Sequence, residues 1–165
     1  SQRLLRRVCQ ACRIPYHPGE EELGHFGLFA SNEQSITFYR AHHAAPNSKD
    51  VCPNCQGRGY KGRIGVYEVV RVNENLATAI AKGASTDVLR KLSIETGMKT
   101  LLGYGLDLVR QGYTTLQEVE RMLLTDTELE SERRARALTT LSCRSCGAGL
   151  KDEWLECPYC LTSRT

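Results

Sequence analysis

Eight cysteines stand in the chain at positions 9, 12, 52, 55, 143, 146, 157 and 160, as four C-x-x-C pairs with none left over. A C-x-x-C turn bends the backbone so that both sulfurs aim at one point, and two such turns supply the four soft ligands of a tetrahedral zinc site. The chain has 165 residues and opens with no basic-then-apolar secretory segment. That context favours metal thiolates in a reducing compartment over a disulfide framework.

Cys143-Arg-Ser-Cys146 and Cys157-Pro-Tyr-Cys160 are separated by ten residues, the spacing of a short zinc ribbon. Gly147 and Gly149 allow the tight backbone after its first knuckle. Iron in a rubredoxin-like site uses the same ligands and is the competing metal. A ribbon of this size buries too little apolar surface to fold alone, so its metal must supply the stability. Leu150, Trp154, Leu155 and Tyr159 form its expected small core, with Trp154 as a partner anchor the sharper alternative. Stripping the metal is expected to unfold the ribbon before the helical region.

Cys9-Gln-Ala-Cys12 and Cys52-Pro-Asn-Cys55 lie 39 residues apart, so spacing alone leaves their pairing open. His42 and His43 fall inside that gap as alternative donors, while His17 and His25 read as surface groups. A thioredoxin-like redox role needs the motif between strand and helix of a βαβ unit, a context absent here. Gly57-Arg-Gly59-Tyr-Lys-Gly62 satisfies G-x-G-x-x-G but follows a knuckle and precedes a strand, which excludes the dinucleotide fingerprint. No G-x-x-x-x-G-K-[ST] occurs, so the chain offers no P-loop phosphate cradle.

The elements that must position these thiols read as α+β. Residues 2–8 suggest a short basic helix running into Cys9. Glu20 to Phe29 reads as a helix ended by the Gly27 and Ser31-Asn32 region, and Ile36 to Tyr39 as a short strand. Arg63 to Val72 alternates as a strand, with Ile64, Val66, Val70 and Val72 on one side. From Asn73 the apolar period becomes helical: Leu76/Ile80, Val88/Leu92, Met98-Leu101-Leu102-Leu106-Val109, and Leu116-Val119-Met122-Leu123. Gly83, Gly97 and Gly112 separate four helices, and Thr115-x-x-Glu118 is a capping box. Residues 125–140 run from acidic to basic as a charged linker helix. The expected organisation is a tetracysteine zinc module over 1–72, a packed helical region over 73–124, the linker over 125–140 and the ribbon over 141–165.

Composition narrows the function. Hydrophobic content of 41% and charged content of 25% describe a folded chain, and no run of 18 apolar residues could span a membrane. A net charge of +3 is too small to imply nucleic-acid binding without a local patch. Two patches exist: Arg3, Arg6, Arg7 and Arg13, and Arg58, Lys61 and Arg63 beside Tyr60. Aromatic and basic residues so interleaved suit stacking and phosphate contact, although the first cluster fits a subunit interface better.

Gln2-Arg-Leu-Leu-Arg-Arg-Val-Cys9, Cys52-Pro-Asn-Cys55-Gln-Gly-Arg-Gly-Tyr-Lys-Gly-Arg-Ile-Gly-Val-Tyr-Glu68, Gly97-Met-Lys-Thr-Leu-Leu102 and Gly112-Tyr-Thr-Thr-Leu-Gln-Glu-Val119 occur in this order. Together they resemble the C-terminal region of the type IV pilus assembly and type II secretion ATPases, over about residues 1–124. The resemblance implies a cytoplasmic homohexameric motor, peripheral at the inner membrane, that uses ATP and Mg2+ to drive pilin polymerisation or secretion through a membrane platform protein. It implies one structural zinc on Cys9, Cys12, Cys52 and Cys55. It also implies that the Walker motifs and ATP site lie in an ATPase core before Ser1, so that this chain alone is not an enzyme. The ribbon at 143–160 is an addition to the family's usual ending and is expected to dock a protein partner, giving two zinc ions in all. Two other readings remain beside it: a nucleic-acid-binding zinc-ribbon module, and an Hsp40-like chaperone zinc domain, of whose four tandem repeats only Cys52-x-x-Cys55-x-Gly57-x-Gly59 is present.

Overall fold

Leu5 and Val8 are both buried, yet residues three apart lie on opposite faces of a regular strand. The computed structural model, which describes residues 1–28, 36–125 and 128–129, shows how both point inward. Gln2–Val8 is strand β1, and its register slips between Arg6 and Val8. The bulge turns Val8 to the same side as Leu5. The expected helix over 2–8 is therefore a strand: a bulge imitates helical spacing. Seven residues are too few to hold a helix unaided, whereas a partner strand satisfies alternate backbone groups and Glu118 and Thr114 reach the Arg6 N–H and carbonyl on the other edge.

That partner is β4, Tyr60–Tyr67, antiparallel to β1 from Gln2 opposite Tyr67 to Val8 opposite Tyr60. Ser1 and Glu68 continue the ladder through hydrogen bonds of 3.0 and 2.9 Å. β4 begins and ends earlier than the alternation suggests, and Val69 and Val72 beyond it are exposed. Between β1 and β4, β2 (Ile14–Tyr16) pairs antiparallel with β3 (Phe38–Arg40), and α1 spans Glu20–His25.

The chain divides into two units. The first comprises Ser1–Glu68 with Thr100–Leu129. Its two helices, α4 (Leu101–Arg110) and α5 (Leu116–Leu123), pack on each other and on the β1/β4 ribbon. Thr100 caps α4 by accepting from the Gly103 N–H at 2.9 Å, and Thr115 caps α5 by accepting from the Glu118 N–H at 3.1 Å. The core joins Leu5 and Val66 from the ribbon, Leu23 and Phe26 from α1 and its end, and Phe38 from β3. To these it adds Leu102, Leu106 and Val109 from α4, and Val119 and Leu123 from α5.

In the second unit the described part is Val69–Lys99. It holds α2 (Glu74–Ala81), capped by the Asn73 side chain accepting from the Leu76 N–H at 2.9 Å, and α3 (Thr86–Glu95). Leu76 and Ile94 are buried, while Ile80 and Val88 of the expected stripes are half exposed. All four helices expected over 73–124 are present, and the glycines that separate them have left-handed backbone. The mixed helix and strand content is α+β. The linker of 125–140, apart from Thr125, Glu128 and Leu129, and the whole ribbon lie outside the described residues.

Candidate metal centre

The β1/β4 ladder brings the first two knuckles together. Cys9 directly follows Val8, and Cys52 and Cys55 precede Tyr60, so pairing Val8 with Tyr60 sets both turns at one end of the ribbon. One further bond, from the Cys9 N–H to the Gly59 carbonyl at 2.9 Å, carries the ladder into the site. In the first knuckle the N–H groups of Cys12 and Arg13 both return to the Cys9 carbonyl, at 3.3 and 3.0 Å. In the second, the Gln56 N–H bonds the Cys52 carbonyl at 2.7 Å and the Arg58 N–H the Cys55 carbonyl at 3.2 Å.

The sulfurs of Cys9, Cys12, Cys52 and Cys55 all lie within 4.8 Å of one another. Cys9 Sγ is 3.9 Å from Cys52 Sγ, and Cys12 Sγ is 3.6 Å from Cys55 Sγ. A tetrahedral zinc with Zn–S bonds of ~2.3 Å sets its sulfurs ~3.8 Å apart, so these spacings suit such an ion. They are far longer than a disulfide bond, and the four thiols are free. This is the group of His, Cys, Asp and Glu able to hold a metal ion among the described residues. Three of the four cysteines are buried, and Cys12 is half-buried.

The electrostatics ask for a cation. Burial alone would push the Cys9 thiol up, but hydrogen bonds from Asn54, the Ala11 backbone and the neighbouring thiols outweigh it and bring its pKa to about 6. Burial and the adjoining sulfur groups push Cys12 upward instead. Negative charge gathered on sulfurs this close calls for a compensating cation, which a bound dication would supply.

Two features of the second knuckle depend on missing side chains. A Cβ on Gly57 would sit 2.5 Å from the Ala44 carbonyl oxygen, and one on Gly59 would sit 2.9 Å from the His42 carbonyl oxygen. Both glycines are left-handed, with φ of +77° and +72°. Gly59→Ala adds backbone strain and a clash with main chain that cannot swing away. The expected loss is about 2 kcal/mol of stability, read from urea unfolding of the metal-loaded protein; an unchanged midpoint would contradict it.

The first knuckle is tied to the turn between α4 and α5. Gln10 Nε2 and Arg13 Nη1 both donate to the Gly112 carbonyl, at 3.0 and 2.5 Å, and the Val8 N–H bonds the Tyr113 carbonyl at 3.0 Å. Arg13 also stacks on Tyr39 at 3.7 Å. His42 and His43 stand outside the metal-binding group, with the His43 ring 5.8 Å from that of Tyr60. His17 is exposed, and His25 pairs with Glu120 at 3.1 Å on the surface. Cys143, Cys146, Cys157 and Cys160 lie outside the described residues.

Each basic patch is partly engaged within the fold, while Arg3, Arg58 and Arg63 are exposed. Arg6 engages Glu118 at 2.6 Å and covers the Tyr60 ring at 4.2 Å. Tyr60 itself is buried, with its hydroxyl 2.9 Å from Thr115 Oγ1, so it offers no face to a base. Lys61 bonds Asn54 Oδ1 at 2.7 Å. Sequence reasoning missed two participants, Asn54 and the Gly59 N–H, which nothing marks beyond their place in the knuckle.

The family model of type II/IV secretion system proteins matches residues 1–121. The chain belongs to that family. Its relatives include the type IV pilus assembly ATPase PilB of Thermus thermophilus, 37% identical over 119 residues, which are 72% of this chain and 12% of that protein. The type IV pilus assembly ATPase PilB of Myxococcus xanthus is 35% identical over 120 residues, 72% of this chain and 20% of that protein. The type II secretion system ATPase E of Vibrio cholerae is 33% identical over 122 residues, 74% of this chain and 22% of that protein. The chain thus spans a fifth or less, or little more, of the length of each. The matched residues 1–121 contain the four-cysteine group, whereas the cysteines of 143–160 lie beyond them. No helix among the described residues is long and apolar enough to cross a membrane.

Proposed function

We propose that this chain acts as the C-terminal zinc-binding part of a hexameric motor ATPase for type IV pilus assembly or type II secretion. The observation that carries the reading is a tetracysteine group of tetrahedral spacing inside a stretch matched from residue 1 to 121 by the secretion family. Cys9, Cys12, Cys52 and Cys55 hold one zinc, and Cys143, Cys146, Cys157 and Cys160 hold a second. The first ion braces the ends of β1 and β4 against the α4–α5 turn through Gln10 and Arg13. The role is structural: a tetrathiolate zinc leaves no open position for substrate.

In this reading the zinc module of 1–72 and the helices of 73–124 serve an ATPase core and neighbouring subunits beneath the inner membrane. The charged segment of 125–140 carries the ribbon of 141–165 to a protein partner, and the platform protein of the machine is engaged by the assembled motor. The chain alone turns over no ATP. Elemental analysis should find two zinc per chain, and affinity capture with and without residues 141–165 should return different partners. Zinc-free protein with ordered knuckles, or the same partners from both forms, would refute the corresponding assignment.

A further inference from the structure

Asn54 sits in the second knuckle but serves the first. Its Nδ2 lies 3.2 Å from Cys9 Sγ, a sulfur 45 residues away in sequence, and its Oδ1 lies 2.7 Å from Lys61 Nζ. An ammonium can only donate, so the amide oxygen must face Lys61, and the NH2 group is then left for the sulfur. The orientation of the amide is thereby fixed by Lys61. Gly59 makes a comparable bond within its own knuckle, its N–H reaching Cys55 Sγ at 3.3 Å, but from main chain. Asn54 and Lys61 are thus side chains that act on a thiolate without being ligands.

We propose that Asn54 and Lys61 are positioning residues of the metal centre: Lys61 locks the Asn54 amide across the gap between knuckles, where it holds the Cys9 thiolate on the ion. The inference rests on the zinc reading of this site. A thiolate leaves a metal when it is protonated or attacks an electrophile, and both steps draw on sulfur electron density. An N–H donor withdraws that density and slows both. The same bond ties the end of β1 to the 52–55 turn, so the two halves of the ligand set separate less often. Lys61 is exposed and touches no sulfur in this relay; it acts through the amide.

The test uses the full chain with Cys143, Cys146, Cys157 and Cys160 changed to serine, leaving one site to load with zinc or cobalt(II). Zinc release to a chromophoric chelator gives the rate, and the cobalt thiolate charge-transfer band reports sulfur electronics. Asn54→Ala should release zinc about tenfold faster, the lower end for outer-shell partners, and Lys61→Gln about threefold faster. Both should move the band to lower energy, since the sulfur lone pair loses its donor, and Lys61→Arg should restore rate and band. A merely structural role would lower the melting point and leave the band of still-loaded protein in place. Release unchanged within about twofold and an unmoved band in both variants would overturn the positioning role while leaving the zinc reading intact. A parent chain that takes up neither ion would overturn both. Lys61→Gln, on the surface, keeps the test decisive should Asn54→Ala fail to fold.

Discussion

Cys52→Ser, or a strong chelator, is expected to open the knuckles while leaving the helical core folded. The two regions are held by different forces. Leu5, Val66, Leu102, Leu106, Val109 and Val119 belong to one apolar cluster, and Cys9, Cys52 and Cys55 form another, separate and far smaller. Nothing apolar of comparable size holds residues 9–16 against 41–59 when the ion leaves. A structural zinc contributes apparent binding free energies of about 10–16 kcal/mol, which dwarfs the hydrogen bonds of the two turns. Amide exchange provides the measure. The N–H groups of Cys9, Arg13, Gln56 and Gly59, each bonded within or between the knuckles, should lose their protection in Cys52→Ser. Amides inside α4 should keep most of theirs. The turn at Gly112 and Tyr113 should loosen to an intermediate degree, because Gln10, Arg13 and Val8 grip it from the first knuckle. Uniform protection in the metal-free variant would show that the ion braces nothing.

The division between what local pattern reveals and what it hides follows from the range of each interaction. C-x-x-C pairs and their chemistry are local, and so are helix stripes, the glycines after α2, α3 and α4, and the caps at Asn73, Thr100 and Thr115. Each can be read from a handful of neighbours. The strand character of Gln2–Val8 is not local: it depends on a partner about sixty residues away and on a bulge that spaces Leu5 and Val8 as a helix would. Tyr60 shows the same limit from another side. In sequence it stands among Arg58, Lys61 and Arg63 as a stacking platform, but packing buries it beneath Arg6 and gives its hydroxyl to Thr115. The four sulfurs meet because the ladder between β1 and β4 ends where both knuckles begin. The spacing of 39 residues between Cys12 and Cys52 carries no trace of that.

Glu118→Gln should cost about 3 kcal/mol at neutral pH, although Glu118 lies on no candidate site. Its side chain is fully buried, and every contact it makes there suits a carboxylate. Oε1 accepts from the Arg6 N–H at 3.0 Å and from Arg121 Nη2 at 2.6 Å. Oε2 accepts from Arg6 Nε and Nη2 at 2.8 and 2.6 Å and from Arg121 Nε at 3.1 Å. Half of the capping box is therefore realised: Thr115 accepts from the Glu118 N–H, while the carboxylate turns to β1 and ties α5 to the strand that leads into Cys9. Both arginines keep part of their surface in water, 43% and 54%, so one charge rather than three bears the full burden of desolvation. Burial would push the carboxyl up, but the hydrogen bonds from Arg121 and Arg6 overcome it and hold its pKa at about 2, against an ordinary 4.5. A carboxylate whose folded pKa is depressed stabilises the fold fully above its unfolded value and loses that contribution as pH falls through the folded one. The gap between wild type and Glu118→Gln should accordingly be widest above about pH 4.5 and close towards pH 2. Acid also protonates the metal thiolates, but it does so in both proteins, and their difference cancels that loss. Urea titrations of the pair from pH 7 downward give the curve directly. A gap that held constant to pH 2 would mean that the variant suffers from shape alone, and that the charge on Glu118 does not bind α5 to β1.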